Sequence, residues 1–265
     1  MIIFLLVSYV AVALGAYMLA ESVLFQPPPA SYTTADLPIQ HVPVNAGESV
    51  ALLHLPNAAA RYTILYSHGN AEDIGHLAPL FGYLHDLGFG VIAYDYRGYG
   101  QSTGGKATVR KSVEDAEAVY RYAVDSLGVH PDRLLVYGRS VGSGPALELA
   151  TRYPVGGVIL ESAFTSAYRV LTRVPLLPFD RFPNSRLIPR VRAPVLIIHG
   201  TADQIIAPSH GAKLFALAPE PKQSYWVEGA GHNDLLNVAG ENYGAALRRF
   251  AALLDAPQLG DMPGR

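Results

Sequence analysis

The chain has 265 residues, half of them apolar and 16% charged, with 25 Gly, 20 Pro and no Cys; this excludes a disordered or low-complexity protein and fits one large domain with an appendage. A formal net charge of −2 from dispersed Lys and Arg leaves no basic footprint for nucleic acid. The absence of Cys removes thiolate chemistry, disulfides and cysteine metal sites, while leaving the compartment open.

Residues 1–20 carry no charged side chain, and a helix of that length spans roughly 30 Å, about one hydrocarbon core. The expectation is a single-pass transmembrane anchor over residues 1–25. A cleaved secretory signal competes, because Ala13, Gly15 and Ala20 offer small residues to a signal peptidase. It lacks a basic leader, since the first Lys or Arg is Arg61. With no positive charge near either helix end, the side of the membrane stays undecided, leaning mildly to the extracytoplasmic face. Residues 26–36, opening Gln26-Pro27-Pro28-Pro29-Ala30-Ser31, read as a stiff proline-rich spacer that holds the next domain off the bilayer.

From residue 37 to 255 short apolar runs alternate with helical patterns. Strands are expected at 39–44, 49–55, 62–66, 90–94, 133–137, 157–160, 195–199 and 224–227, several of them solidly apolar as buried parallel strands must be. Leu77, Phe81, Leu84 and Leu87 recur at helical spacing, as do Val109, Val113, Ala116, Tyr120, Ala123 and Leu127. The fold class is therefore α/β: a mostly parallel central β-sheet covered by helices on both faces. Residues 163–192 are a Pro-interrupted excursion between two strands, expected as a short cap insertion. Residues 256–265 read as a frayed tail.

The strand ending at Tyr137 runs into Gly138-Arg139-Ser140-Val141-Gly142 and then a helical segment. This is G-x-S-x-G in a strand-turn-helix setting, where flanking glycines let neighbouring backbone pass and the serine hydroxyl stands above the sheet at a helix N-terminus. In a chain this rich in Gly the bare pattern is suggestive, and the setting carries most of the discrimination. A serine hydroxyl is a weak nucleophile until a base removes its proton, and the base needs an orienting carboxylate. Asp203 follows one apolar strand and His232 another, in the order Ser, Asp, His. Alone, each reads as an ordinary loop residue; together they complete a relay. The turn Ser67-His68-Gly69-Asn70-Ala71 offers a backbone donor for an oxyanion, that of Asn70, and Val141 N–H offers the second. His68, Glu72, Asp73 and His76 cluster in sequence but lack regular ligand spacing, so no metal is expected. The glycines of residues 98–104 do not match a dinucleotide fingerprint, and no cofactor is expected.

With Tyr94-Asp95-Tyr96-Arg97-Gly98-Tyr99-Gly100, His199-Gly200-Thr201-Ala202-Asp203 and Glu228-Gly229-Ala230-Gly231-His232-Asn233-Asp234, these motifs resemble the α/β-hydrolase superfamily over about residues 40–254. The insertion and the segment through Ser209-His210-Gly211 resemble its membrane-attached branch, which includes eukaryotic protein depalmitoylases and related bacterial hydrolases. The resemblance implies Ser140 as nucleophile, His232 as base and Asp203 as its partner, with Asp95 and Arg97 shaping a bordering loop. The depalmitoylases attach through an acylated, Cys-rich N-terminus; here an apolar helix stands in its place.

The expected function is a membrane-anchored serine hydrolase cleaving acyl esters or thioesters through an acyl-enzyme, with a small-molecule or lipid-like substrate. A peptidase on the same scaffold is the alternative, with Glu161 or Asp180 as the acid that holds a substrate amino group; a non-catalytic lipid- or partner-binding scaffold is another. Oligomeric state is not readable. Activity is expected to fall on the acidic side, because only a neutral imidazole serves as base.

Overall fold

A computed structural model describes residues 1–172 and 180–255; residues 173–179 of the expected cap insertion and the expected tail at 256–265 lie outside the described residues. All eight expected strands form: β1 (Ile39–Asn45), β2 (Glu48–Leu55), β3 (Thr63–Ser67), β4 (Gly90–Tyr94), β5 (Leu134–Arg139), β6 (Gly157–Glu161), β7 (Val195–Gly200) and β8 (Lys222–Val227). They make one sheet in the order β1-β2-β4-β3-β5-β6-β7-β8. β1, β2 and β4 pair antiparallel, and every pair from β4 through β8 is parallel. Strands β4 to β7 are buried along their whole length, which is why they read as continuous apolar runs rather than as alternation.

Successive side chains point to opposite faces, so each strand feeds two cores. Leu65, Leu134 and Val136 meet α3 (Val109–Arg121) and α4 (Ser143–Arg152) on one face. Ile64, Tyr66, Leu135 and Tyr137 meet α2 (Ile74–Asp86) and α9 (Glu241–Asp255) on the other. Toward the β7 end, Leu147, Val195 and Ile197 pack with Leu214 of α7 (Pro208–Leu217). The helical pattern expected through Leu127 lengthens its hydrogen-bond span from four residues to five at Tyr122. Residues Tyr122–Ser126 form a π-turn with Leu127 N–H donating to Tyr122 O at 3.1 Å, and Gly128, at φ +70°, ends it.

Between β6 and β7 the insertion holds α5 (Ala167–Thr172) and α6 (Asn184–Leu187); α8 (Leu235–Ala239) follows the last strand. At the other end, α1 (Ile2–Leu24) is a single apolar helix with Phe4, Leu6, Val12 and Met18 exposed. Its stretch Phe4–Leu24 has mean hydropathy 1.8, long and apolar enough to cross a bilayer. One seam of its latter half is docked on the domain: Ala13 and Ala20 are buried, Tyr168 OH donates to Ala16 O at 3.2 Å, and the Arg181 guanidinium lies 4.5 Å over the Tyr17 ring.

The expected spacer departs from the sequence reading. Residues 26–36 do not hold the domain away; they lie along it. Phe25 is buried against Tyr96 and Phe182, with ring centroids 6.3 Å apart in both pairs. Ser31 N–H donates to Asp73 Oδ2 at 2.7 Å, and Tyr32 OH donates to buried Asp95 at 2.5 Å. A proline run is stiff and extended whether or not a surface lies beneath it, and here the two aromatic residues that flank it supply the apolar area that seats it.

Candidate active site

The relay begins at the end of β5. Ser140 takes φ +52°, a left-handed conformation costly for a side chain with a Cβ. The 3₁₀ turn Ser140–Gly142 then leads into α4. The flanking glycines are needed for space: a Cβ on Gly142 would stand 2.1 Å from Ser67 O, and one on Gly138 would stand 2.6 Å from Gly142 O. Ser143 Oγ donates to Ser140 O at 2.6 Å and accepts from Asn184 Nδ2 at 3.0 Å, which ties the insertion to the turn. Three further non-glycine residues with positive φ, Ala71, Ser162 and Phe182, lie in the loops around this turn, so backbone strain collects at one end of the sheet.

Asp203 follows β7 and His232 follows β8, so all three side chains stand beyond the C-terminal ends of parallel strands. His232 Nε2 is 3.1 Å from Ser140 Oγ, and His232 Nδ1 is 2.8 Å from Asp203 Oδ2. A carboxylate only accepts, so the neutral ring carries its proton on Nδ1 and turns the Nε2 lone pair to the serine hydroxyl. The other oxygen of Asp203 accepts from Ile205 N–H at 2.9 Å and Ile206 N–H at 2.8 Å. Burial works to raise the Asp203 carboxyl, but the bonds from His232 and Ile206 and the neighbouring His232 and His199 rings outweigh it and hold it below the ordinary aspartate range. Asp203 is buried while Ser140 and His232 are partly open to solvent. A cavity of about 450 Å³ flanks the Asp203 loop, lined by Thr165, Arg169, Ile205 and His210 among others.

Among the described residues, neither Asn70 N–H nor Val141 N–H has an acceptor. The Asn70 side chain is pinned instead. Its Oδ1 accepts from Gln26 N–H at 2.7 Å, Tyr99 OH at 2.8 Å and Ala71 N–H at 2.9 Å.

Arg139, the variable position before the serine, is an ionic hub that the sequence reading missed. It is buried, pairs with Glu72, and donates from Nε to Glu161 Oε1 at 3.0 Å. Its Nη2 reaches His232 O at 3.1 Å and Asn233 Oδ1 at 2.9 Å. Glu72 accepts from Gly69 N–H at 2.8 Å, and Glu161 accepts from Tyr137 OH at 2.5 Å and from Tyr243 OH. One guanidinium thus joins the serine turn, the Asn70 loop and the His232 loop. A charged residue closing an otherwise apolar strand was the available signal.

This corrects the expected role of Glu161, whose oxygens are already taken; it cannot hold a substrate amino group. Asp180 Oδ1 accepts from the backbone of Tyr168 and Arg181. Of the sequence cluster weighed for metal, Glu72 serves Arg139, Asp73 caps α2, and His68 is buried against Tyr96. No cluster of three metal-ligating side chains occurs among the described residues.

The bordering loop is built on two buried charges. Arg97 is enclosed by Glu48, Glu114 and Asp115 at 2.5–2.6 Å. Asp95 accepts from Tyr32 OH and from Ile74 N–H at 2.9 Å. Burial pushes the Asp95 carboxyl up to about 7, against the bonds from Tyr32 and Ile74. The unfolded chain ionises this group near ~3.9, so the folded state binds the extra proton between those values. Asp95 accordingly costs stability as pH rises from about 4 to about 7. Melting curves of Asp95→Asn and the parent, compared from pH 5 to pH 8, are expected to show the variant gaining relative to the parent as pH rises. A pH-independent difference would contradict the buried-acid assignment.

The chain is similar to several known proteins. Residues 58–178 match the family model described as serine aminopeptidase, S33. The human alpha/beta hydrolase domain-containing protein 17B is 42% identical over 198 residues, 74% of this chain and 66% of that protein. An esterase of Pyrococcus furiosus superposes with a TM-score of 0.70 at 16% identity, covering 86% of this chain and 98% of that one. An esterase of Rhodococcus sp. gives 0.65 at 19% identity, covering 82% and 99%. The chain belongs to the α/β-hydrolase superfamily. It spans just under two thirds of the length of the human relative. The α/β-hydrolase scaffold accounts for the order and direction of the strands.

Proposed function

We propose that this chain is a membrane-anchored serine hydrolase that cleaves acyl esters or thioesters through an acyl-enzyme. The observation that carries the reading is the continuous relay from Asp203 through His232 to Ser140, with contacts of 2.8 and 3.1 Å. Ser140 Oγ attacks the substrate carbonyl carbon while its proton passes to His232 Nε2, and Asp203 stabilises the imidazolium. Collapse of the tetrahedral adduct breaks the bond to the alcohol or thiol, which leaves with the proton from His232. Water, deprotonated by the same nitrogen, then attacks the acyl carbon, releases the acid and restores Ser140. The N–H groups of Asn70 and Val141 receive the developing oxyanion.

The apolar α1 supports attachment to a bilayer, and attachment favours acyl-chain substrates. The description of the matching family as a serine aminopeptidase favours the alternative of a peptidase, but the engaged Glu161 removes one of the two acids that reading needs. p-Nitrophenyl esters of short and long acids, assayed beside aminoacyl anilides, divide the two: ester turnover without anilide turnover is expected. Faster turnover of the anilides would overturn the esterase reading, and turnover of neither by a folded chain would overturn both in favour of a binding scaffold.

A further inference from the structure

The apolar helix and the oxyanion loop are connected by a segment whose placement exceeds what a tether requires. Beyond Leu24 the chain turns extended at Phe25, with φ −124° and ψ 104°. Phe25 then fills a socket between Tyr96 and Phe182, and Phe182 in turn presses on α4 so closely that a Cβ on Gly144 would stand 2.1 Å from its ring. The next amide, Gln26 N–H, donates to Asn70 Oδ1. Five and six residues on, Ser31 and Tyr32 bond Asp73 and Asp95, and Gln101 Nε2 donates to Tyr32 O at 3.1 Å. The segment is fastened at both ends, and its contact with the Asn70 loop falls on a residue whose backbone N–H has no acceptor among the described residues.

We propose that residues 25–32 are a positioning element of the active site: through Gln26 N–H they orient Asn70, so that its own N–H meets the substrate oxyanion, and they link the seating of α1 to turnover. This rests on the serine-hydrolase reading above and deepens it. Asn70 Oδ1 has two donors from elsewhere in the chain, Gln26 N–H and Tyr99 OH. Losing either frees the side chain to rotate and lets the adjoining peptide plane swing. A hydrogen-bond donor must meet an oxyanion within a few tenths of an ångström, and complete removal of such a donor costs about 10²–10³ in kcat.

Gln26→Pro in the full-length chain isolates the contact, because proline has no amide hydrogen and the extended Phe25 before it suits an X-Pro step. Gln26→Ala keeps the amide and serves as the control. With an ester substrate, Gln26→Pro is expected to lower kcat roughly 10–100-fold while KM changes less than about twofold, and to slow fluorophosphonate labelling in parallel. Gln26→Ala is expected to match the parent. Tyr99→Phe, which removes the other donor, is expected to shift kcat in the same direction. A purely structural role would lower the melting temperature without splitting kcat from KM, and a Gln26→Pro enzyme with the parent's kcat would overturn the proposal. If Gln26→Pro does not fold, Tyr99→Phe decides: a parental kcat overturns it, a depressed kcat with unchanged KM supports it. Failure of the parent itself to label or turn over would instead sink the hydrolase reading, so the two failures are distinct.

Discussion

Ser140→Ala is expected to abolish turnover, by on the order of 10⁶-fold or about 8 kcal/mol in the barrier, and to abolish fluorophosphonate labelling while leaving the fold intact. The variant deletes only the hydroxyl that stands 3.1 Å from His232 Nε2; Ser140 contributes its backbone carbonyl to Ser143 Oγ either way. Its φ of +52° is unfavourable for alanine as for serine, so stability should change little. Rate and stability are thereby separated in one substitution. Equal labelling of variant and parent would remove Ser140 from the mechanism.

Arg139→Met should do the opposite and damage both. The guanidinium is buried between Glu72 and Glu161, and a neutral side chain leaves two carboxylates without their cation, a loss of about 3–5 kcal/mol on breaking a buried pair. That figure is a large share of a domain's stability. The same substitution frees His232 O and Asn233 from Nη2, which loosens the loop that aims the base; misplacement by about 1 Å costs up to ~10² in rate. Arg139→Lys is informative because it restores charge but not the fork: one ammonium cannot reach Glu72, Glu161, His232 and Asn233 together. Urea unfolding should therefore place Lys between Arg and Met, while kcat of the Lys variant stays nearer that of Met. A methionine variant as stable as the parent would show that the hub contributes nothing net.

The sheet was legible in the sequence because its strands are buried on both faces and leave unbroken apolar runs, as at Val195–Gly200 and Gly157–Glu161. The relay was legible for a related reason: each of its members follows such a run by a few residues. What could not be read was whatever depends on two distant surfaces meeting. Proline residues 27–29 announce an extended chain but not the socket that receives Phe25. The charge of Arg139 announces a need for carboxylates but not that Glu72 and Glu161, 67 residues before and 22 after it, would supply them. Glu161 was weighed for a substrate amino group on its sign alone; its neighbours Tyr137 and Tyr243 come from strands and helices far apart in sequence.

The docked seam of α1 limits how much of that helix is free to enter a bilayer. With Ala13, Ala16, Tyr17 and Ala20 committed to the domain, the free part of the helix is its first dozen residues, a reach of about 18 Å against a hydrocarbon thickness of roughly 30 Å. Burying that much and no more penetrates about one leaflet. Crossing the second would draw Tyr168 and Arg181 down among the lipid headgroups, where an aromatic hydroxyl and a guanidinium are both at home. Depth-dependent quenching of a single fluorophore at position 18, an exposed position of the helix, should separate these postures, outside the hydrocarbon in the shallow one and within it in the deep one.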